Sequence, residues 1–335
     1  MISCLTDTMT LMNGVKIPGI GFGTYKSVDG NDAEESVRTA IGAGMRHIDC
    51  ASFYKNEDGS GRGIARGMEE NGLRREDLFV TSKVWTSDKA YDDAIRSCKQ
   101  SLSDLGLEYL DLLLVHWPAD DHAYPDWKEI NFDTWRAFTD LYKDGLVRAI
   151  GVSNFWPEHL EPLMDTEVPP MVNQLEYHPG YMQNGEGGDV SPLRNFANAG
   201  THNSEGGDVS PLRNFANAGT HNSHPCSGYC PDDVPAYCKD RGIIVEAWSP
   251  LGRAKVLQDP LLLSLAEKYG KSTSQICLRW EIQHEIIPLP KSVHEERIIE
   301  NTKVFDFELD DDDMEMIDSM PITGFSTHTP KDVPW

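Results

Sequence analysis

The chain is short of positive charge. Its 335 residues carry 30 Lys and Arg against 54 Asp and Glu, a formal net charge of −24, so nucleic-acid phosphates and anionic membrane surfaces would be repelled. Neither is an expected partner, and the charge speaks for solubility rather than for a function. No apolar stretch approaches the ~20 residues that cross a bilayer, and Met1 to Thr10 lacks the basic start and apolar middle of a signal peptide. The expected location is cytoplasmic. Cysteine is sparse and odd in number. Of seven, Cys4, Cys50, Cys98 and Cys277 are scattered singly and only Cys226, Cys230 and Cys238 cluster, which suits a reducing compartment. Also missing is a Gly-x-Gly-x-x-Gly turn after the first strand-like run, the mark of a doubly wound dinucleotide-binding sheet.

What is present is enough apolar residue, 39%, for one large domain spanning 1–335. Thr10 to Ile17 reads as a short hairpin, with Asn13-Gly14 supplying both positive-φ positions of a tight primed turn. After it, strand and helix signals alternate. Strands are expected at Gly19 to Gly23 and near 47–49, 78–83, 110–115, 148–152, 171–175, 243–247 and 286–289. The first helix is expected to start at Asp32 with Glu35 following, to bury Val37, Ala40, Ile41 and Ala43, and to stop at Gly44. The fold class is α/β: eight strands with helices between them point to a (β/α)8 TIM barrel with an N-terminal β-hairpin, an open doubly wound sheet being the rival.

Barrel enzymes build their sites at the carboxyl ends of the strands. Here those ends carry polar or aromatic residues throughout: Thr24, Asp49, Lys83, His116, Ser153 and Asn154, Gln174, Trp248, then Lys291 and Ser292. Tyr54 follows Asp49 by five positions. Taken singly, Asp49 could cap a turn, Tyr54 could be a half-buried aromatic, Lys83 a solvated strand end and His116 a satisfied rim histidine. Converging on one rim, the four suit carbonyl reduction.

In order along the chain, Gly21-Phe22-Gly23-Thr24-Tyr25, His47-Ile48-Asp49 through Tyr54, Ser82-Lys83-Val84-Trp85, Leu114-Val115-His116-Trp117-Pro118, Gly151-Val152-Ser153-Asn154-Phe155, Asn173 to Pro179, Ala247 to Gly252 and Pro290-Lys291-Ser292 resemble the aldo-keto reductases. The short tail from Ile322 resembles the compact microbial, 2,5-diketo-gluconate reductase-like members. The resemblance implies NADPH (NADP+) as cofactor and a small carbonyl substrate, in a monomer. It implies a catalytic set of Asp49, Tyr54, Lys83 and His116. Chemistry argues the same roles. A phenol is a poor acid at neutral pH unless a cation stabilises its phenolate, Lys83 supplies that cation, Asp49 keeps Lys83 charged, and His116 orients the substrate oxygen or shares in the proton transfer, orientation being favoured. Implied cofactor contacts are Gly23, Thr24, Ser153, Asn154, Gln174, Ser249, Leu251 and Gly252. Trp248 stands where the family commonly stacks a tyrosine on the nicotinamide. Lys291, Ser292 and Arg297 are matched to the 2′-phosphate, helped by the amides of a helix starting near Glu295. Glu300 and Asn301 are matched to adenine. Tyr25, Trp85 and Trp117 are matched to the substrate pocket, with Phe53 and Trp156 as further candidate walls and Tyr124 and Trp127 in the loop after His116 that could overhang it, and Trp335 either folds over that pocket or frays.

One segment departs from the family. Glu186 to Ser204 recurs residue for residue as Glu205 to Ser223, inside an expected insertion over 184–231 between the sixth strand and the sixth helix. Its Gly, Asn, Ser and Thr content predicts a flexible excursion. His221, His224, Cys226 and Cys230 offer metal-like ligands in a spacing that matches no familiar zinc module, so no metal is expected; a Cys226–Cys230 disulfide remains open for an oxidising setting. The repeat keeps a second function in view, a cofactor-binding barrel that serves as sensor or display scaffold without catalysis.

Overall fold

The computed structural model describes residues 2–182, 234–324, 326, 328–331 and 333. The 184–231 insertion with its repeats and its Cys226, Cys230, His221 and His224, together with Trp335, lies outside the described residues. A hairpin of β1 (Thr8–Thr10) and β2 (Lys16–Pro18) precedes everything else, with Thr10 opposite Lys16. Its turn differs from the expected one. Only Gly14 has positive φ, at 86°, and Gly14 N–H bonds Leu11 O while Leu11 N–H bonds Val15 O. This is a longer loop with a left-handed glycine. Asn13 keeps an ordinary backbone because its side chain is engaged: Oδ1 accepts from Val15 N–H, and Nδ2 donates to Arg148 O. The Arg148 contact sets the hairpin at the amino ends of the barrel strands.

Eight strands then pair side by side, all parallel and in sequence order: β3 (Phe22–Gly23), β4 (His47–Asp49), β5 (Phe79–Val84), β6 (Leu112–Val115), β7 (Ile150–Ser153), β8 (Val172–Glu176), β9 (Ile244–Trp248) and β10 (Ile287–Pro288). Two further hydrogen bonds, Gly21 N–H to Pro288 O and Gly23 N–H to Pro290 O, each 3.0 Å, join the first strand region to the last. That closure makes the sheet a barrel and rules out the open doubly wound alternative. Strands buried on both faces read as continuous apolar runs because helices cover the outside, as in Leu112-Leu113-Leu114-Val115.

The helices are α1 (Asn31–Gly42), α2 (Glu57–Asn71), α3 (Tyr91–Leu105), α4 (Trp127–Lys143), α5 (Pro157–Met164), α6 (Val234–Asp240), α7 (Pro260–Tyr269), α8 (Thr273–Gln283), α9 (Glu295–Asn301) and α10 (Asp311–Asp318). Helix α1 begins one residue before Asp32, behind Gly30 with no side-chain cap, and buries Val37, Ala40 and Ile41 as expected, but it ends at Gly42, so that Ala43 is its half-buried C-cap. Asp32 therefore stands in the first turn, where a carboxylate favours the helix dipole. Glycines let α2 approach both neighbours. A Cβ on Gly61 would lie 2.5 Å from Leu105 O at the end of α3, and one on Gly63 2.5 Å from Glu34 O in α1. No helix among the described residues is long and apolar enough to cross a membrane.

This packing predicts that Gly61→Ala, which must push two backbones apart, costs about 3 kcal/mol and lowers the melting temperature by several degrees. Gly42→Ala is the control, because its Cβ would meet nothing nearer than Asn71 at 4.0 Å; it should hold or raise the melting temperature. Equal melting of the two variants would remove the close-approach argument.

Candidate active site

Asp49 closes β4, Lys83 stands near the end of β5, His116 follows β6, and Tyr54 ends a single 3-10 turn over Ser52–Tyr54. The structure brings all four together. Lys83 is 1% exposed, yet its ammonium has three partners: it donates to Asp49 Oδ2 at 2.7 Å, to Cys50 O at 3.0 Å and to the Tyr54 hydroxyl oxygen at 3.2 Å. Three N–H groups thus meet three oxygens, which is what a buried ammonium requires. Burial opposes the Lys83 charge, but Asp49 and Tyr54 outweigh it and hold its pKa above the usual lysine value.

Tyr54 departs from the simple expectation of an acidified phenol. Burial pushes its pKa up to about 12, more than Lys83 pulls it down, so the phenol keeps its proton throughout the neutral range. His116 is buried, its Nδ1 has no hydrogen-bond partner, and its pKa falls well below the imidazole norm because burial and the Lys83 charge both oppose protonation. It is a neutral ring, able to hydrogen-bond but poorly placed to carry an extra proton.

Aromatic rings surround this cluster. The centroids of Tyr25 and Tyr54 are 5.0 Å apart, Trp85 meets His116 edge-on at 5.0 Å, and Phe53 stacks on Trp85 at 3.8 Å. Trp117 lies 6.5 Å from Trp248. Tyr25, Trp85 and exposed Phe53 thus gather around Tyr54 and His116, with Trp117 beside Trp248. Trp127 and Trp156 both pack on His159, which bonds Asp120 at 3.0 Å.

Ser153 closes β7 and Asn154 follows it in a left-handed conformation, φ 64°, as does Ser249 after β9, φ 53°. Non-glycine residues are seldom left-handed, and strain of this kind gathers at functional rims. Asn154 Nδ2 donates to His116 O and to Ser153 Oγ, and its Oδ1 accepts the Trp248 indole N–H at 2.8 Å. Ser153 Oγ donates to Gln174 O. Gln174 turns its amide nitrogen inward, to Asp49 Oδ1 at 3.0 Å and Glu246 Oε2 at 2.8 Å. The side chains expected to hold a carboxamide thus form one network with the tetrad. Trp248, half-buried, is fixed in it by its ring nitrogen.

The profile of the Aldo/keto reductase family matches residues 19–189 and 223–322. The chain belongs to the aldo/keto reductase family. It is 42% identical over 321 residues to the glyoxal reductase of Bacillus subtilis, covering 96% of this chain and 95% of that one. Among solved structures, an aldo-keto reductase from a deep-sea metagenome superposes with TM-score 0.75 at 34% identity, covering 98% of this chain and 100% of the other. A Bombyx mori aldo-keto reductase solved in complex with NADP superposes with TM-score 0.75 at 30% identity, covering 100% and 99%.

The residues of this reductase also fit a phosphate-bearing ligand. Despite the surplus of acids, neither Lys291 nor Arg297 forms an ion pair among the described residues; Lys291 is half-buried and its pKa is lowered, first by burial. Two cations without a direct ion-pair contact, six residues apart after the last strand, suit a dianion. Gly23 and Thr24 end the first strand region beside them, through the Gly23 N–H to Pro290 O bond. Ser292 Oγ accepts from His294 N–H, and Asn301 is buried at the end of α9. Glu300 is half-buried, and its backbone oxygen accepts from Gln275. Leu251 and Gly252 follow Ser249 in a bent segment where Gly252 has φ 51°.

Two residues of the network were not singled out from sequence. Glu246 is an acid within the apolar run of β9, two positions before Trp248 and so on the same strand face, and it is fully buried. Cys50 contributes only its backbone oxygen, which no side-chain pattern reveals.

Removing Lys83 alone should be worse than removing the pair. Lys83→Met leaves Asp49 buried without its cation, a cost of about 3–5 kcal/mol, whereas Asp49→Asn combined with Lys83→Met recovers much of it. Urea unfolding of the single and double variants measures the coupling; additive losses would contradict the ion-pair account.

Proposed function

We propose that this aldo-keto reductase converts small uncharged aldehydes and ketones, dicarbonyls included, to alcohols with NADPH, and that Tyr54 gives the proton. The observation that carries the reading is the Lys83 ammonium spent on Asp49, Cys50 O and the Tyr54 oxygen. When bound, the nicotinamide would supply a hydride to the carbonyl carbon. The protein must then neutralise the oxygen. Tyr54, protonated at neutral pH, offers its hydrogen to that oxygen as charge develops there, and Lys83 stabilises the phenolate left behind. Asp49 keeps Lys83 charged throughout. His116, neutral beside the Tyr54 ring at 5.7 Å, donates a hydrogen bond that selects the carbonyl face rather than giving up a proton.

Ser153, Asn154 and Gln174 would take the carboxamide, Trp248 the nicotinamide face, and Lys291 and Arg297 the phosphate that distinguishes NADPH from NADH. The substrate class follows from the aromatic wall of Tyr25, Phe53, Trp85 and Trp117, which offers mainly apolar faces, with Lys26 over the outer Tyr25 ring as its one flanking cation among the described residues. The glyoxal reductase relative makes small dicarbonyls the first compounds to try. A non-catalytic scaffold would have no physical use for an acid, a cation and a carboxylate in hydrogen-bonded register. We place the enzyme in the cytosol as a monomer.

NADPH absorbance loss with glyoxal, methylglyoxal, simple aldehydes and keto sugars tests the reading, with NADPH binding followed by tryptophan fluorescence. Tyr54→Phe should keep NADPH binding and lose turnover by about 100-fold or more. Unaltered turnover in that variant would refute the assigned acid, and binding without turnover on any carbonyl by the unaltered protein would refute the reductase.

A further inference from the structure

TIM barrels ordinarily fill their interior with layers of branched aliphatic side chains. Beneath the tetrad of this barrel lies a polar layer instead. His47 from β4, Thr81 from β5 and Glu246 from β9 are all fully buried. His47 Nε2 shares a hydrogen bond with Thr81 Oγ1 at 3.0 Å and lies 3.7 Å from Glu246 Oε1, beyond hydrogen-bond reach. Glu246 Oε1 and His47 Nδ1 have no hydrogen-bond partner. Glu246 Oε2 has one, the Gln174 amide nitrogen that also serves Asp49.

We propose that Glu246 is a positioning residue of the tetrad: uncharged in the barrel interior, it accepts one Gln174 amide hydrogen and thereby commits the other to Asp49 Oδ1, leaving Asp49 Oδ2 for Lys83. The proposal rests on the reductase reading above and assigns it a further residue.

Two arguments fix the charge state. The first is counting. Two carboxyl groups share one amide nitrogen in a space that water does not reach, and the titratable groups facing Glu246 are Asp49 and His47 from β4 and Lys83 from β5. Lys83 is the single cation and is matched by Asp49. An ionised Glu246 would leave a net negative charge buried, which costs far more than holding a proton. The second is His47, the sole group that could offset such a charge by protonation. Burial and then Lys83 depress its pKa to about 3, while burial and then Asp49 raise that of Glu246 to about 8. The neutral pair is therefore favoured over the ion pair.

The geometry explains what the acid does. A primary amide has two hydrogens and one oxygen, and its two orientations differ by a flip. With Glu246 accepting below, the nitrogen of Gln174 faces inward and donates to Asp49. Without that acceptor one Gln174 amide hydrogen is left buried and unpaired, and the amide turns from Asp49 to satisfy it. Asp49 then loses a fixed donor and shifts, and Lys83 with it, away from Tyr54. A displacement of that size loses about 10-fold to 100-fold in rate.

Glu246→Gln and Glu246→Ala test this, each checked for NADPH binding. Glu246→Ala should lower kcat at least about 10-fold when measured at saturating NADPH, which separates the loss from any weaker hold of Gln174 on the cofactor. Glu246→Gln, which keeps an uncharged acceptor, should restore most of that loss. A second readout is independent of turnover. A carboxyl whose folded pKa is raised loses stability relative to the unfolded chain as pH rises from its unfolded value toward about 8. The stability of Glu246→Gln relative to the unaltered protein, measured by urea unfolding, should therefore climb steadily between pH 5 and 8. A flat difference across that range would show Glu246 ionised and overturn the proposal, as would a Glu246→Gln variant as slow as Glu246→Ala. If the unaltered protein turns over no carbonyl, the reductase reading fails instead, and the unfolding series still decides the charge of Glu246.

Discussion

The rim of this barrel is organised around one buried ammonium. Lys83 has given up nearly all contact with water, and its charge persists because each of its hydrogens meets an oxygen, one of them a carboxylate 2.7 Å away. Tyr54 and Asp49 are held in place by this requirement as much as by their own packing. If Asp49 moved, Lys83 would lose its compensation; if Tyr54 moved, Lys83 would hold a hydrogen without an acceptor. The same contacts that stabilise the charge also place a phenol beside a cation, so stability and chemistry are served by one set of hydrogen bonds.

Closure of the barrel makes such a site possible. Asp49, Lys83, Gln174 and Glu246 come from four strands, and their side chains meet because the sheet curls until its first and last members bond through Gly21 and Gly23. Gly21 has a specific reason to be glycine: a Cβ there would lie 2.8 Å from His47 Nδ1. Around the top, Asn154 ties the His116 backbone to the Trp248 ring. Trp248 is thereby anchored through a hydrogen bond its indole nitrogen makes possible.

The eight strands were legible because each is an apolar run that ends in a polar or aromatic residue, and the tetrad was legible because those ends share a rim. Local detail was less so. Asn13-Gly14 reads as a two-residue turn, but the Asn13 side chain bonds Arg148, far along the chain, and the loop lengthens. Aromatic content does not disclose which way a ring faces, and the packing of Trp127 and Trp156 on His159 is not readable from it. Glu246 was hidden for a similar reason. Its partner Gln174 lies 72 residues away in sequence, and an isolated acid in a strand says nothing of what it meets across a barrel.

The central claim is that this cluster protonates a carbonyl oxygen while a nicotinamide hydride reaches the carbon. The most direct test uses NADPH deuterated at the transferable C4 position, with an aldehyde that is turned over, and mass spectrometry of the alcohol. The account predicts one deuterium on the former carbonyl carbon of each product molecule, and none there when unlabelled NADPH is used in heavy water. Alcohol without the label, or with deuterium on that carbon drawn from heavy water, would contradict it.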